Sequence, residues 1–129
     1  MTREQLEHAI RAACDVSGDR EVWVFGSQAI LGEHPDAPAA LRMSVEADIA
    51  PRNLPERVID IDAVLGELSM FHETHDFYVH GVSIQSASLP SRWDDRCYRL
   101  QNRNHHHGVC VTSCNKRLCF GLRRWYHLP

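Results

Sequence analysis

Hydrophobic residues recur at helical spacing near the start of the chain. The spacing of Thr2 and Gln5 is that of a capping box, in which a hydroxyl and an amide side chain satisfy the first free backbone groups of a helix. Gly18 follows, and glycine is a residue that commonly ends a helix. The sequence therefore predicts one amphipathic helix between these signals, with a buried stripe made of Leu6, Ala9, Ile10, Ala13 and Cys14.

Three short apolar segments, at residues 21–25, 44–49 and 77–83, predict the strands of a small sheet. A helix is expected to begin near Pro55, and a last strand is expected at residues 96–100. A chain of 129 residues supports a single core. These elements predict an α/β (or α+β) domain, a small mixed β-sheet flanked by helices. The stripe expected to be buried on the second helix is Val58, Ile61, Leu65 and Leu68.

Polar residues interrupt two of these strands in a way that indicates chemistry. Gly26 and Ser27 follow the first strand directly, and such a turn offers backbone N–H groups to a phosphate. Glu46 and Asp48 alternate with apolar residues in the second strand, so both carboxylates project from one face of the sheet. A turn for phosphates and a carboxylate pair for magnesium would together hold a nucleoside triphosphate.

The segments Phe25-Gly26-Ser27 and Val45-Glu46-Ala47-Asp48-Ile49 resemble the motif of the nucleotidyltransferase superfamily, which shares the polymerase-β-like fold. Residues 81–83 and 89–93, followed by the arginine at 96, look similar to a small bacterial branch of that superfamily. The resemblance covers roughly residues 1–102, which we take as a nucleotidyltransferase-like domain.

This resemblance implies a Mg²⁺-dependent enzyme that moves a nucleoside monophosphate from a nucleoside triphosphate to a hydroxyl of a small molecule or protein. Gly26 and Ser27 would bind the nucleotide. Glu46 and Asp48 would be the catalytic residues and the metal ligands.

The sequence departs from the family pattern at several positions. The first acid is Glu46 instead of Asp, and the spacer between the turn and the acids is long. In place of the third acid expected on the third strand, the chain has His80 and Ser83, with Asp76 just before that strand. His80 has the chemistry of a base near neutral pH. The incomplete triad favours an alternative, a catalytically inactive nucleotidyltransferase-like protein that binds a protein partner as an antitoxin-like component.

The distribution of charge restricts the class of partner. All 17 acidic residues lie in residues 1–95, and residues 1–102 carry a formal charge of −8. This charge argues against binding of nucleic acid through broad neutralisation of phosphates. The sequence has no apolar segment of the roughly 20 residues that span a bilayer, and its first residues do not resemble a signal peptide. We therefore expect a cytoplasmic protein without a membrane partner.

Residues 103–129 differ in composition from the rest of the chain. They contain no acid and hold His105-His106-His107 and three of the five cysteines, Cys110, Cys114 and Cys119. One interpretation is a zinc site, although the spacing lacks the paired Cys-x2-Cys of common sites. The favoured interpretation is a change of reading frame after about Asn104. The domain would then be truncated, and a non-functional fragment is a further alternative.

Overall fold

The computed structural model describes residues 1–85 with their side chains, together with the backbone of two strands, Cys97–Gln101 and Val109–Ser113. The helices among the described residues are α1 (Arg3–Ser17), α2 (Ile30–Glu33), α3 (Val58–Leu65) and α4 (Met70–His75). Three short 3-10 helices occur at Ser27–Ala29, Ala39–Leu41 and Pro55–Arg57.

The strands are β1 (Val22–Phe25), β2 (Glu46–Pro51), β3 (Tyr78–Gly81), β4 (Cys97–Gln101) and β5 (Val109–Ser113). They form one sheet in the order β3-β2-β1-β5-β4. Strand β1 pairs antiparallel with β2 and parallel with β5, and β2 pairs parallel with β3. The α/β class and the mixed sheet packed against helices are as predicted, and the specific fold stays a prediction.

Local signals at both ends explain the extent of α1. The Thr2 hydroxyl accepts a hydrogen bond from the Gln5 backbone N–H at 3.1 Å, and the Gln5 side chain accepts one from Thr2 N–H at 2.8 Å. At the other end Gly18 adopts a left-handed conformation, and its N–H bonds to the carbonyl of Cys14. The predicted helix and its buried stripe are confirmed: Leu6, Ala9, Ile10, Ala13 and Cys14 are all buried.

The two faces of the sheet differ in character because side chains alternate along each strand. Val24, Ile49 and Val79 are fully buried in the hydrophobic cluster that also contains the apolar faces of α1 and α3. Each such side chain contributes about 1.5–3 kcal/mol of burial free energy. The residues that alternate with them, including Asp48 and His80, lie on the opposite face. The helices therefore leave the polar residues of β2 and β3 on the other side of the sheet.

The region after α3 differs from the prediction. The helix ends at Leu65, so Leu68 lies beyond it, is 82% exposed and has a positive φ of 64°. The prediction that Leu68 belongs to the buried stripe is wrong, because the helix ends before this residue. The helix α4 was not predicted. Its N-cap, Ser69, accepts a hydrogen bond from the backbone N–H of His72 at 3.2 Å.

Several sequence predictions lie outside the described residues. These are the turn and the motif residues at 89–96, and the side chains of the Cys/His segment. The backbone of β5 places residues 109–113 between β1 and β4 in the sheet. The domain boundary at residue 102 stays a prediction. In the part of the chain that the structure describes, no helix has both the length and the apolar character needed to cross a membrane.

Candidate functional site

The pairing of β1 with β2 brings the predicted turn to the predicted carboxylates. Phe25, the last residue of β1, lies opposite Asp48, and Gly26 follows immediately. Glu46 and Asp48 are both half-buried, whereas Ala47 between them is fully buried. The alternation therefore places both carboxylates on the face of the sheet that is turned away from α1 and α3.

Contact between Gly26 and Asp48 explains why this turn contains glycine. Gly26 has φ 78° and ψ −165°, a conformation that is essentially restricted to glycine. A Cβ at this position would lie 2.7 Å from Asp48 Oδ2, so the Asp48 carboxylate would have to move. Ser27, the next residue, is exposed and begins the 3-10 helix Ser27–Ala29, which has no side-chain cap. The backbone of the turn therefore packs directly on one of the two acids.

Strand β3 adds two side chains to the carboxylate pair. Its parallel register sets Tyr78 beside Glu46 and His80 beside Asp48. The Tyr78 hydroxyl donates to Glu46 Oε2 at 2.6 Å, and this bond is the largest cause that raises the pKa of Tyr78 to about 12. His80 Nδ1 lies 3.2 Å from Glu46 Oε1 and 3.3 Å from Asp48 Oδ1. Glu46, Asp48 and His80 thus form a compact three-residue cluster.

Asp48 is the least satisfied member of this cluster. Its Oδ1 is buried and receives no hydrogen bond, because the contact from His80 Nδ1 has ion-pair distance only and the hydrogen bond of that nitrogen is to Glu46. Burial, followed by the hydrogen bond and the charge of Glu46, raises the pKa of Asp48 to about 6. The hydrogen bond from Asp48 lowers the pKa of Glu46. Ionisation of both Glu46 and Asp48 is therefore unfavourable unless a positive charge lies beside them.

The sequence reasoning missed Gln28. Its side chain is 1% exposed, and its Nε2 donates to Ser27 Oγ at 3.1 Å and to the carbonyl oxygen of Leu41 at 3.2 Å. Gln28 thus connects the turn to the end of the long spacer that precedes β2. The signal available in the sequence was a single amide in an otherwise apolar helix, which does not distinguish a buried residue from an exposed one.

The other acids considered from the sequence lie elsewhere. Asp76 ends α4 in a left-handed conformation, and Asp60 pairs with Arg57 at 3.0 Å. Asp62 accepts a hydrogen bond from the backbone N–H of Gly81 at 3.2 Å. Among the described residues the potential metal-binding group contains two carboxylates and His80, with no third acid.

The donor set suits a divalent cation in part. One ligand atom from each member lies within 4.8 Å of the others, and the buried Asp48 Oδ1, which accepts no hydrogen bond, is an acceptor that a cation would satisfy. Two carboxylates are the oxygen ligands that Mg²⁺ prefers, but the imidazole nitrogen is not. No protein-family model, curated protein or solved structure matches this chain.

Proposed function

We propose that this protein is a nucleotidyltransferase that depends on a divalent metal ion, Mg²⁺ being the ion that the family resemblance implies. The observation that carries the proposal is the packing of Gly26 against Asp48 Oδ2. It supports a single site in which a phosphate on the turn and a cation on the carboxylates are neighbours. A turn for phosphates would not specify a nucleotide by itself, and neither would a carboxylate pair. A triphosphate with a bound cation requires the turn and the carboxylates to be in contact.

Each residue of the site has a role in this proposal. The turn at Gly26 and Ser27 holds phosphate oxygens, and Glu46 and Asp48 hold the cation. Tyr78 fixes the Glu46 carboxylate through the 2.6 Å hydrogen bond. A bound divalent ion would neutralise the charge of the triphosphate and of the departing pyrophosphate.

The proposed reaction transfers a nucleoside monophosphate to a hydroxyl of a small molecule or protein. The acceptor oxygen forms a bond to the α-phosphorus, and the bond from that phosphorus to the pyrophosphate oxygen breaks. The proton of the hydroxyl passes to water. The contribution of the protein is mainly positioning and charge neutralisation, which fits a site made of a backbone turn and fixed carboxylates.

Calorimetry with each nucleoside triphosphate in the presence of Mg²⁺ or Mn²⁺ tests the proposal. We expect one triphosphate to bind and the Asp48→Asn variant to lose at least about tenfold in affinity, since a cation ligand is removed. Asp60→Asn is the matched control, because it removes the same charge from an exposed carboxylate on α3. Absence of triphosphate binding, or binding that is insensitive to Asp48→Asn, would contradict the proposal.

A second candidate is a nucleotidyltransferase-like protein that binds a protein partner without catalysis. The specific observation in its favour is a group of exposed large apolar side chains on and after α3. Burial of these side chains would stabilise a complex with a partner. A monodisperse protein that binds no triphosphate in the calorimetry would support this candidate. The group consists of Ile59, Val64, Leu68 and Met70, which are 53–82% exposed.

A further inference from the structure

His80 occupies the position of a third ligand in the cluster. Its place in the register beside Asp48 directs the ring toward both carboxylates, and Nδ1 is about equally far from Glu46 Oε1 (3.2 Å) and Asp48 Oδ1 (3.3 Å). One nitrogen cannot donate a hydrogen bond to two acceptors through a single N–H with good geometry in both. The hydrogen bond to Glu46 and the ion-pair contact with Asp48 therefore hold the ring of His80 against both carboxylates.

These distances match the spacing of neighbouring ligands around one small cation. Metal–ligand bonds of about 2.0–2.2 Å place adjacent ligand atoms roughly 3.0–3.4 Å apart in octahedral or tetrahedral geometry. The separations from His80 Nδ1 to the two carboxylate oxygens fall in that range. Nδ1 therefore needs no large movement to join the two acids in binding one ion.

The chemistry of the three donors distinguishes between ions. Mg²⁺ takes oxygen ligands and binds imidazole poorly, so a set with one nitrogen in three does not suit it well. Mn²⁺ shares the preference for carboxylate oxygen and also belongs to the transition series that accepts imidazole nitrogen. We propose that Glu46, Asp48 and His80 bind Mn²⁺ in preference to Mg²⁺, with His80 Nδ1 as the third ligand. This inference rests on the proposed function, because it names the ion of the same site.

Electron paramagnetic resonance of free Mn²⁺ measures this selectivity on the full chain without any enzymatic assay. We expect one Mn²⁺ to bind and Mg²⁺ to displace it only at an excess of roughly tenfold or more. The variant His80→Asp, which replaces the nitrogen with a third carboxylate, should bring the two affinities several-fold closer. His34→Asp is the matched control, since it makes the same substitution at an exposed histidine outside the cluster, and it should leave the ratio unchanged.

A second control addresses the histidines at the end of the chain. Replacing His105, His106 and His107 with Asn should leave both affinities unchanged. The inference would be overturned if that variant lost Mn²⁺ binding while His80→Asp kept the wild-type affinities for Mn²⁺ and Mg²⁺.

The remaining outcomes separate the inference from the proposed function. Equal affinities for Mg²⁺ and Mn²⁺, or a ratio that His80→Asp does not alter, would overturn the selectivity and leave a carboxylate metal site in place. His80 would then serve as a hydrogen-bond donor to Glu46 only. Absence of binding of either ion would overturn both the inference and the metal site on which the proposed function depends.

Discussion

Asp19 and Asp48 lie at opposite ends of the β1–β2 pair and illustrate two environments of a carboxylate, one buried and one half-buried. Asp19 precedes β1, is 3% exposed and accepts four hydrogen bonds. Asp48 lies opposite the last residue of β1, and its buried Oδ1 accepts none. The four donors to Asp19 are the backbone N–H groups of Glu21, Asn53 and Leu54 and the Asn53 side chain, at 2.6–3.0 Å.

The two environments shift the pKa values of these carboxyl groups in opposite directions. Burial opposes ionisation of Asp19, but the hydrogen bonds from Asn53 and the neighbouring backbone outweigh it and lower the pKa. For Asp48, burial and the neighbouring Glu46 act together and raise the pKa to about 6. Asp19 therefore stabilises the connection between the two strands, whereas ionisation of Asp48 costs the folded protein stability. A carboxyl group whose pKa is raised by burial and by a neighbouring acid is typical of functional sites.

The largest expected effect is the loss of the satisfied carboxylate. Asp19→Ala leaves up to four donors without their acceptor, and we expect the free energy of unfolding to fall by about 3 kcal/mol. Urea denaturation at pH 7 measures this loss. Asp19→Asn retains one acceptor oxygen and should cost less.

The pH dependence of Asp19 follows from the direction of its shift. Its folded pKa lies below the ordinary value of 3.8, so its ionisation stabilises the protein above about pH 4, and this contribution is lost as the pH falls through the folded pKa. Equal stability of Asp19→Ala and the wild type at pH 7 would contradict a structural role for this carboxylate.

Gly26→Ala should have the next largest effect, because it combines backbone strain with a steric clash at Asp48. We expect a loss of about 2–3 kcal/mol in stability and weaker binding of divalent cations, since the carboxylate must move. Gly18→Ala is the matched control. Gly18 also has a positive φ, of 70°, but nothing lies within 4 Å of an added Cβ, so strain alone should cost about 1 kcal/mol. Equal losses in the two variants, with cation binding retained in Gly26→Ala, would refute the contact.

The contrast between the two acids shows what the sequence could predict. The helix α1 was predictable because its caps and its stripe are local signals, and the placement of Glu46 and Asp48 on one face follows from the two-residue period of a strand. The position of Gly26 beside Asp48 was predictable in outline, since a turn after β1 and a carboxylate on a neighbouring strand can meet in only a few registers.

Other features depend on tertiary contacts that a sequence does not display. Three of the four donors to Asp19 come from residues 34 or 35 positions away, and nothing near Asp19 in the sequence signals them. The start of β2 at Glu46, instead of the expected residue 44, depends on pairing with β1 and β3. The proximity of Tyr78 to Glu46 depends on the parallel register of β3, which no local pattern sets.

The smallest effect expected here concerns the pH dependence of Asp48 in metal-free protein. Its folded pKa, about 6, is above the ordinary value of 3.8, so the folded state holds a proton that the unfolded state has released between these values. Stability should therefore fall as the pH rises from about 4 to 6, by about 1–2 kcal/mol after allowance for solvent screening. The lowered pKa of Glu46 has the opposite sign, but it acts below its ordinary value of 4.5.

Asp48→Asn should remove this slope, because the amide carries no charge at any pH in the range. Above pH 6 the variant should then be more stable than the metal-free wild type by the same amount, about 1–2 kcal/mol. Urea denaturation at pH 4.5 and pH 7 in the presence of a chelator measures both proteins, and Asp60→Asn should keep the wild-type slope. A saturating divalent ion should reverse the order at pH 7 by stabilising the protein that retains the Asp48 carboxylate more than the variant. A wild-type profile that rises over this window, or an Asp48→Asn variant that metal stabilises equally, would show that Asp48 is a structural acid like Asp19.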